Sequence, residues 1–226
     1  MRDRRNYSII YDMSEDPSHR GYYYVPRRRM TFSEEEVKHI LIAMAFLIIS
    51  FILMLRGSGI YGIAFVIPIA LSVAFTGFLF HELMHKYFAQ RYGAWAEFRY
   101  SLWGLLLGLI TSFFGLLLAA PGAVYISGNL NRRENGIVSL AGPMTNAFFA
   151  YLFMFASFAA TPFLYVSTAT AYIAFLDGWL GVFNMIPIFP LDGSKVLAWD
   201  TSNYLMALLV PLLPVAILLL TGRVVI

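Results

Sequence analysis

The sequence predicts an all-α polytopic membrane protein, with five to six transmembrane helices and a re-entrant or short β element after the second. Three observations carry this. The 226-residue chain is 59% hydrophobic and 13% charged, against about 25% charged in soluble domains. Apolar segments recur at roughly 37–55, 60–85, 101–120, 137–160, 165–188 and 203–222, each close to the ~20 residues that cross a bilayer. The third of these is unlike the rest. Gly104, Gly108 and Gly115 interrupt it, Thr111 and Ser112 lie at its centre, and Pro121-Gly122 closes it. That composition suits a hairpin that enters the bilayer and returns to the same face, its irregular backbone shielded by protein.

Residues 1–36 carry Arg2, Arg4, Arg5, Arg20, Arg27, Arg28 and Arg29 without an apolar stretch, and no cleavable signal peptide is visible in them. They read as a polar cytoplasmic tail, partly disordered or folded as a small cap, with Tyr22, Tyr23 and Tyr24 at the lipid interface. Ser33-Glu34-Glu35-Glu36 fits a capping box that starts the first span. Residues 37–226 then form a single membrane-embedded unit. The net charge of +3 reflects loop asymmetry, because no Gly-rich phosphate loop and no basic–aromatic stripe points to nucleic acid. The chain has no cysteine, which excludes disulfides and thiolate ligands, so a metal site here must use imidazole and carboxylate.

Such a site begins in the second apolar segment, which ends in His81-Glu82-Leu83-Met84-His85. Positions i and i+4 share a helix face, so His81 and His85 can bind one Zn2+ ion together, with Glu82 beside it as general base on a water. Ionisable groups are costly at membrane depth, which makes these three a functional site by default. Arg91 fits an anchor at the cytoplasmic interface; ten residues of helix place His81 about 15 Å inward. Lys86 is expected to snorkel to the headgroups.

The second constellation is Asn184-Met185-Ile186-Pro187-Ile188-Phe189-Pro190-Leu191-Asp192-Gly193. Two prolines three apart end a regular helix. The unwound chain can aim Asp192 sideways to complete a His-His-Asp site, with Gly193 permitting a tight turn or close approach. The plainer alternative is a Pro-Gly loop with a solvated aspartate at a helix end. Asp177, seven residues before Asn184 on one helix face, is the rival carboxylate: a ligand, a partner of a ligand, or a neutral hydrogen-bonded acid.

Six full crossings would put His81 and Asp192 on opposite sides of the membrane. A re-entrant 101–120 removes the conflict and leaves five full spans. With the N-terminus in the cytoplasm it also leaves only Arg56 and Arg223 outside, whereas six crossings would expose Arg56, Arg132, Arg133 and Lys195. The positive-inside rule favours the re-entrant arrangement.

Together, H-E-L-M-H and N-M-I-P-I-F-P-L-D-G resemble the paired signatures of the site-2 protease family of intramembrane zinc metalloproteases. Ala141-Gly142-Pro143-Met144-Thr145-Asn146 resembles the G-P-x-x-N element of that family's intervening helix, and the likeness runs from about Ile60 to Lys195. It implies His81, His85 and Asp192 as zinc ligands, Glu82 as general base and acid, and Asn184 as a substrate or oxyanion contact. It further implies hydrolysis of peptide bonds within or near transmembrane segments of other proteins, as in regulated intramembrane proteolysis, by an enzyme of the cell membrane. The chain departs from the family in having no PDZ-like or nucleotide-sensing appendage and in carrying Asp177 where the pattern leads us to expect Asn.

Asn146 reads either as an interhelical hydrogen bonder or as a substrate-lining residue. His19 and His39 read as interfacial bystanders. Trp95–Tyr100 and Ala123–Ile126 read as short strands flanking the re-entrant part, where an exposed edge can hold an unwound substrate by strand addition. The alternative function is a membrane zinc-binding or transport protein without proteolysis.

Overall fold

The computed structural model describes residues 7–12, 21–26, 30–56, 62–118 and 120–224. Arg2, Arg4, Arg5, His19, Arg20, Arg27, Arg28 and Arg29 lie outside the described residues. The chain opens with an antiparallel hairpin of β1 (Tyr7–Asp12) and β2 (Gly21–Pro26), paired from Tyr7↔Pro26 to Asp12↔Gly21. The expected polar tail therefore contains a short hairpin. Eight helices follow among the described residues: α1 (Glu34–Leu55), α2 (Ile63–Val73), α3 (Phe80–Arg91), α4 (Leu102–Ser112), α5 (Arg132–Ala159), α6 (Leu164–Asn184), α7 (Asp192–Trp199) and α8 (Thr201–Leu220). A π-helical segment, Ala74–Leu79, joins α2 to α3, so that 63–91 runs as one helical rod of 29 residues.

Among the described residues, five helices are long and apolar enough to cross a membrane: α1, the 63–91 rod, α5, α6 and α8. The segment 101–120 does not join them. Its helix α4 has 11 residues, about 16 Å of rise against a hydrocarbon core of about 30 Å. More decisively, α4 is bracketed by β3 (Trp95–Tyr100) and β4 (Gly122–Ser127), which pair antiparallel with Tyr100 opposite Gly122. The chain thus leaves this sheet and returns to it at the same point, and the segment makes no net crossing. The backbone pairing supplies directly the parity that the two motifs demanded.

Local chemistry sets the helix ends. The Ser33 hydroxyl accepts the Glu36 N–H at 3.1 Å at the start of α1. At α5 a full capping box forms, with Asn131 Oδ1 accepting from Glu134 N–H and the Glu134 carboxylate accepting from Asn131 N–H. α6 stops at Asn184, three residues ahead of Pro187, and residues 185–191 run as turns before α7 begins at Asp192.

Three expectations are corrected by packing around the first span. Glu36 does not close the capping box with Ser33; its carboxylate accepts the Phe98 N–H at 3.0 Å and pairs with the Lys86 ammonium. Lys86 accordingly does not snorkel: it is buried, and lies over the Phe32 ring at 4.3 Å. Its turn of α3 faces α1, where a counter-charge is at hand, so the ammonium is neutralised inside the protein. His39 is no bystander either. Its Nδ1 accepts the Tyr100 N–H at 3.1 Å and its ring packs on that of Tyr100 at 4.5 Å. Two side chains of α1 therefore occupy the outer edge of β3.

Removing one member of a buried ion pair strands the other charge, at about 3–5 kcal/mol. Lys86→Met should lower unfolding stability in detergent by that order. The double variant Lys86→Met/Glu36→Gln, which keeps an acceptor for Phe98, should recover most of the loss in the same chemical-denaturation measurement.

Candidate metal centre

His81 and His85 project from successive turns of α3, and Asp192 enters from the first residue of α7, just after the chain unwinds. All three are buried, and their ligand atoms converge. His81 Nε2 lies 3.0 Å from His85 Nε2, and Asp192 Oδ2 lies 3.3 Å and 3.1 Å from these two nitrogens. Donors around a tetrahedral ion with bonds of about 2.0–2.1 Å stand roughly 3.3 Å apart, so the triangle is close to the size that one ion requires.

The protonation pattern makes the same point. His85 Nδ1 lies 2.7 Å from the Val138 carbonyl oxygen, which can only accept, so Nδ1 carries the hydrogen. His81 Nδ1 contacts Asn146 Oδ1. That amide is oriented in turn by its own Nδ2–H, which donates to the Gly77 carbonyl at 2.9 Å. Neutral imidazoles held this way turn two bare Nε2 lone pairs toward a carboxylate oxygen. Three acceptors then face one another with no hydrogen between them, and a cation is what reconciles them. Asp192 Oδ2 is the oxygen that faces the two imidazoles. Oδ1, turned away from the imidazoles, lies 3.8 Å from Lys195 Nζ.

Glycines admit the close packing. A Cβ on Gly142 of α5 would stand 2.6 Å from His81 Nε2 and would also collide with His85 Nε2. The bare backbone there forms the floor beneath both rings. At Gly193 a Cβ would run into the Met185 and Ile186 carbonyls, so the expected close approach is real.

A cavity of about 130 Å³ opens onto the three ligands, and Glu82, Asn184, Lys195 and Val124 also line it. Asn184 Nδ2 donates to the Leu180 carbonyl at 3.0 Å, which leaves the second amide hydrogen unassigned. Phe98 and Tyr100 direct their N–H groups away from β4, toward Glu36 and His39. The β3–β4 ladder therefore runs through Trp95, Glu97 and Arg99, which leaves Gly122, Val124 and Ile126 with outward-facing backbone groups. The Val124 N–H faces the Glu82 carboxylate, so the free edge of β4 runs along the centre.

Asp192 therefore joins the histidines, and the solvated-loop alternative fails because its side chain is buried among them. Asp177 does not join them; it is buried against Thr76. Asn146 is resolved as the partner of His81. Sequence reasoning missed the Val138 carbonyl, for which no side-chain signal exists, and Lys195, whose i+3 spacing from Asp192 was the available clue.

Five membrane-length helices around a buried imidazole–carboxylate triangle, with a glutamate beside it, define a polytopic membrane protein carrying the donor set of a metallohydrolase. Among curated proteins, the chain is 43% identical over 134 residues to one from Methanocaldococcus jannaschii named "Putative zinc metalloprotease MJ0611", covering 58% of this chain and 70% of that one. It is 24% identical over 155 residues to "Zinc metalloprotease MJ0392" of the same organism, covering 66% of this chain and 39% of that one. No family model and no solved structure matches. The chain belongs to the site-2 protease family of zinc metalloproteases.

Gly142→Ala should push the imidazoles out of register and weaken binding of a divalent ion by about 10–100-fold, the scale seen when support for a metal ligand is lost. Chelator competition on the full chain in detergent measures this. Unchanged affinity would show that the floor does not constrain the rings.

Proposed function

We propose that this protein is a zinc-dependent intramembrane endopeptidase that hydrolyses peptide bonds within or near transmembrane segments of other membrane proteins, in the manner of regulated intramembrane proteolysis. The observation that carries the reading is the converging triangle of His81, His85 and Asp192, with Glu82 beside it, at the end of a 29-residue apolar rod. The names of the two relatives support the same reaction class.

Held by His81, His85 and Asp192, zinc would supply Lewis acidity to a water and to the scissile carbonyl. Glu82 serves as the general base, taking the water's proton on its carboxylate and later delivering it to the leaving amine nitrogen. Asn184 has an amide hydrogen to offer to the oxyanion that develops on the carbonyl oxygen. Val138 and Asn146 hold the imidazoles in the tautomer that leaves both Nε2 atoms free.

A helical substrate hides its peptide bonds, so it must unwind before attack. The outer edge of β4 suits the unwound form: the backbone groups of Gly122 and Ile126, with the Val124 carbonyl, can pair with an added strand and lay it past Glu82. β3 cannot serve this way, because Glu36 and His39 occupy its outer edge. On this reading the substrate edge is β4, one of the two strands considered from sequence. For orientation, the reading places the N-terminus in the cytoplasm of a cell-membrane protein, which puts the basic loops inside.

Glu82→Gln should retain zinc, by metal analysis of the purified protein, while cleavage of a transmembrane substrate falls by about 10²–10⁴-fold. Full activity in that variant would sink the mechanism. Ile126→Pro removes one outward N–H from an edge position where proline is tolerated, and leaves the Val124 N–H on the Glu82 carboxylate in place. It should impair cleavage of transmembrane substrates with zinc content unchanged; cleavage at the wild-type rate would exclude strand addition at β4.

A further inference from the structure

Asp177 is a buried carboxyl for which the reaction has no use. It sits on α6, two turns before Asn184, and is fully buried. Its hydrogen-bond partner is Thr76, whose Oγ1 lies 3.1 Å from Oδ1 and 2.8 Å from Oδ2. The same Oγ1 lies 2.8 Å from the Ser72 carbonyl oxygen. A hydroxyl has one hydrogen to give. If it goes to Asp177, two oxygens face each other at the Ser72 contact. If it goes to Ser72, Asp177 must itself be the donor. A protonated Asp177 that donates to Thr76, which donates to Ser72, satisfies all three groups. It also avoids a buried anion with a single hydroxyl for company.

Thr76 and its neighbour Gly77 lie in the π-helical segment immediately before the histidine motif. There the Phe80 N–H bonds Phe75 O, five residues back, so the ladder changes pitch. Asp177 is packed against this step: a Cβ on Gly77 would stand 2.7 Å from Asp177 Oδ1. On its other side Gly77 offers its carbonyl to Asn146, and Asn146 contacts His81 Nδ1. The path from Asp177 to the centre is therefore continuous through Thr76 and Gly77, then Asn146, then His81.

We propose that Asp177 is a neutral, proton-donating positioning residue that with Thr76 fixes the π-helical step of the 63–91 rod, and through Gly77 and Asn146 sets the orientation of His81. The inference rests on His81 being a zinc ligand. It differs from a ligand or ionised role for Asp177 in one respect: only a group that donates one hydrogen bond to Thr76 is needed.

Zinc affinity by chelator competition, with the visible spectrum of the cobalt-loaded protein, tests this on the full chain in detergent. Asp177→Asn, whose amide can still donate to Thr76, should stay within about threefold of wild type and keep its cobalt spectrum. Asp177→Ala should lose about 10–100-fold in affinity with an altered spectrum. Thr76→Val should do the same, and serves if Asp177→Ala fails to fold. Asp177→Asn as damaging as Asp177→Ala would overturn the inference, because an anion would then be required. Wild-type affinity and spectrum in Thr76→Val would overturn it too. Failure of the wild-type protein to bind zinc would overturn the metal reading and this inference with it; intact wild-type binding with unperturbed variants would overturn this inference alone.

Discussion

The pairing of β3 with β4 is the constraint on which the rest of this structure depends. It returns the chain to its starting point after α4, so that only two of the five spanning helices, α5 and α6, separate the histidine motif from Asp192. An even number of crossings brings both ends of the site to one side. Had the segment crossed, the same side chains would lie a bilayer apart and no ion could join them. A few backbone hydrogen bonds thus decide whether the sequence motifs form a site at all.

Around that site, several buried charges and N–H groups are answered by specific partners. Lys86 answers Glu36, a carbonyl and an amide answer the two imidazole N–H groups, and Lys195 stands beside the outer oxygen of Asp192. Unanswered polar groups cost most where water is absent, so such a lattice has few partly formed versions that are stable. It also makes the centre stiff. The rings cannot turn without breaking a bond at Nδ1, and they cannot sink without meeting Gly142.

What was legible in the sequence was local. Helical spacing put His81 and His85 on one face, and the prolines after Asn184 announced the unwound turn that presents Asp192. The glycines of 101–120 marked the odd segment, and the need for both motifs to meet told its direction. What could not be read were partnerships made across the fold. Lys86 is a few residues from the helix end, so snorkelling was the reasonable expectation until α1 supplied Glu36 at the same level. Glu36 had the spacing of a capping residue, yet a buried ammonium and a strand N–H outcompeted the cap for its carboxylate. His39 offered nothing local to suggest the strand it meets. Asp177 matched the periodicity of the site helix, but Thr76, one hundred and one residues earlier, determined where its carboxyl rests.

The plugging of β3 by Glu36 and His39 has a consequence for how much the sheet can grow. A two-stranded ribbon with both margins open could recruit neighbours on either side and extend from molecule to molecule, the usual hazard of exposed edges. Here one margin is closed by side chains from the same chain, and the other runs beside the metal ligands inside a small cavity. Growth of the ribbon is therefore confined to the β4 margin. An added strand would take its register and polarity from one template rather than two.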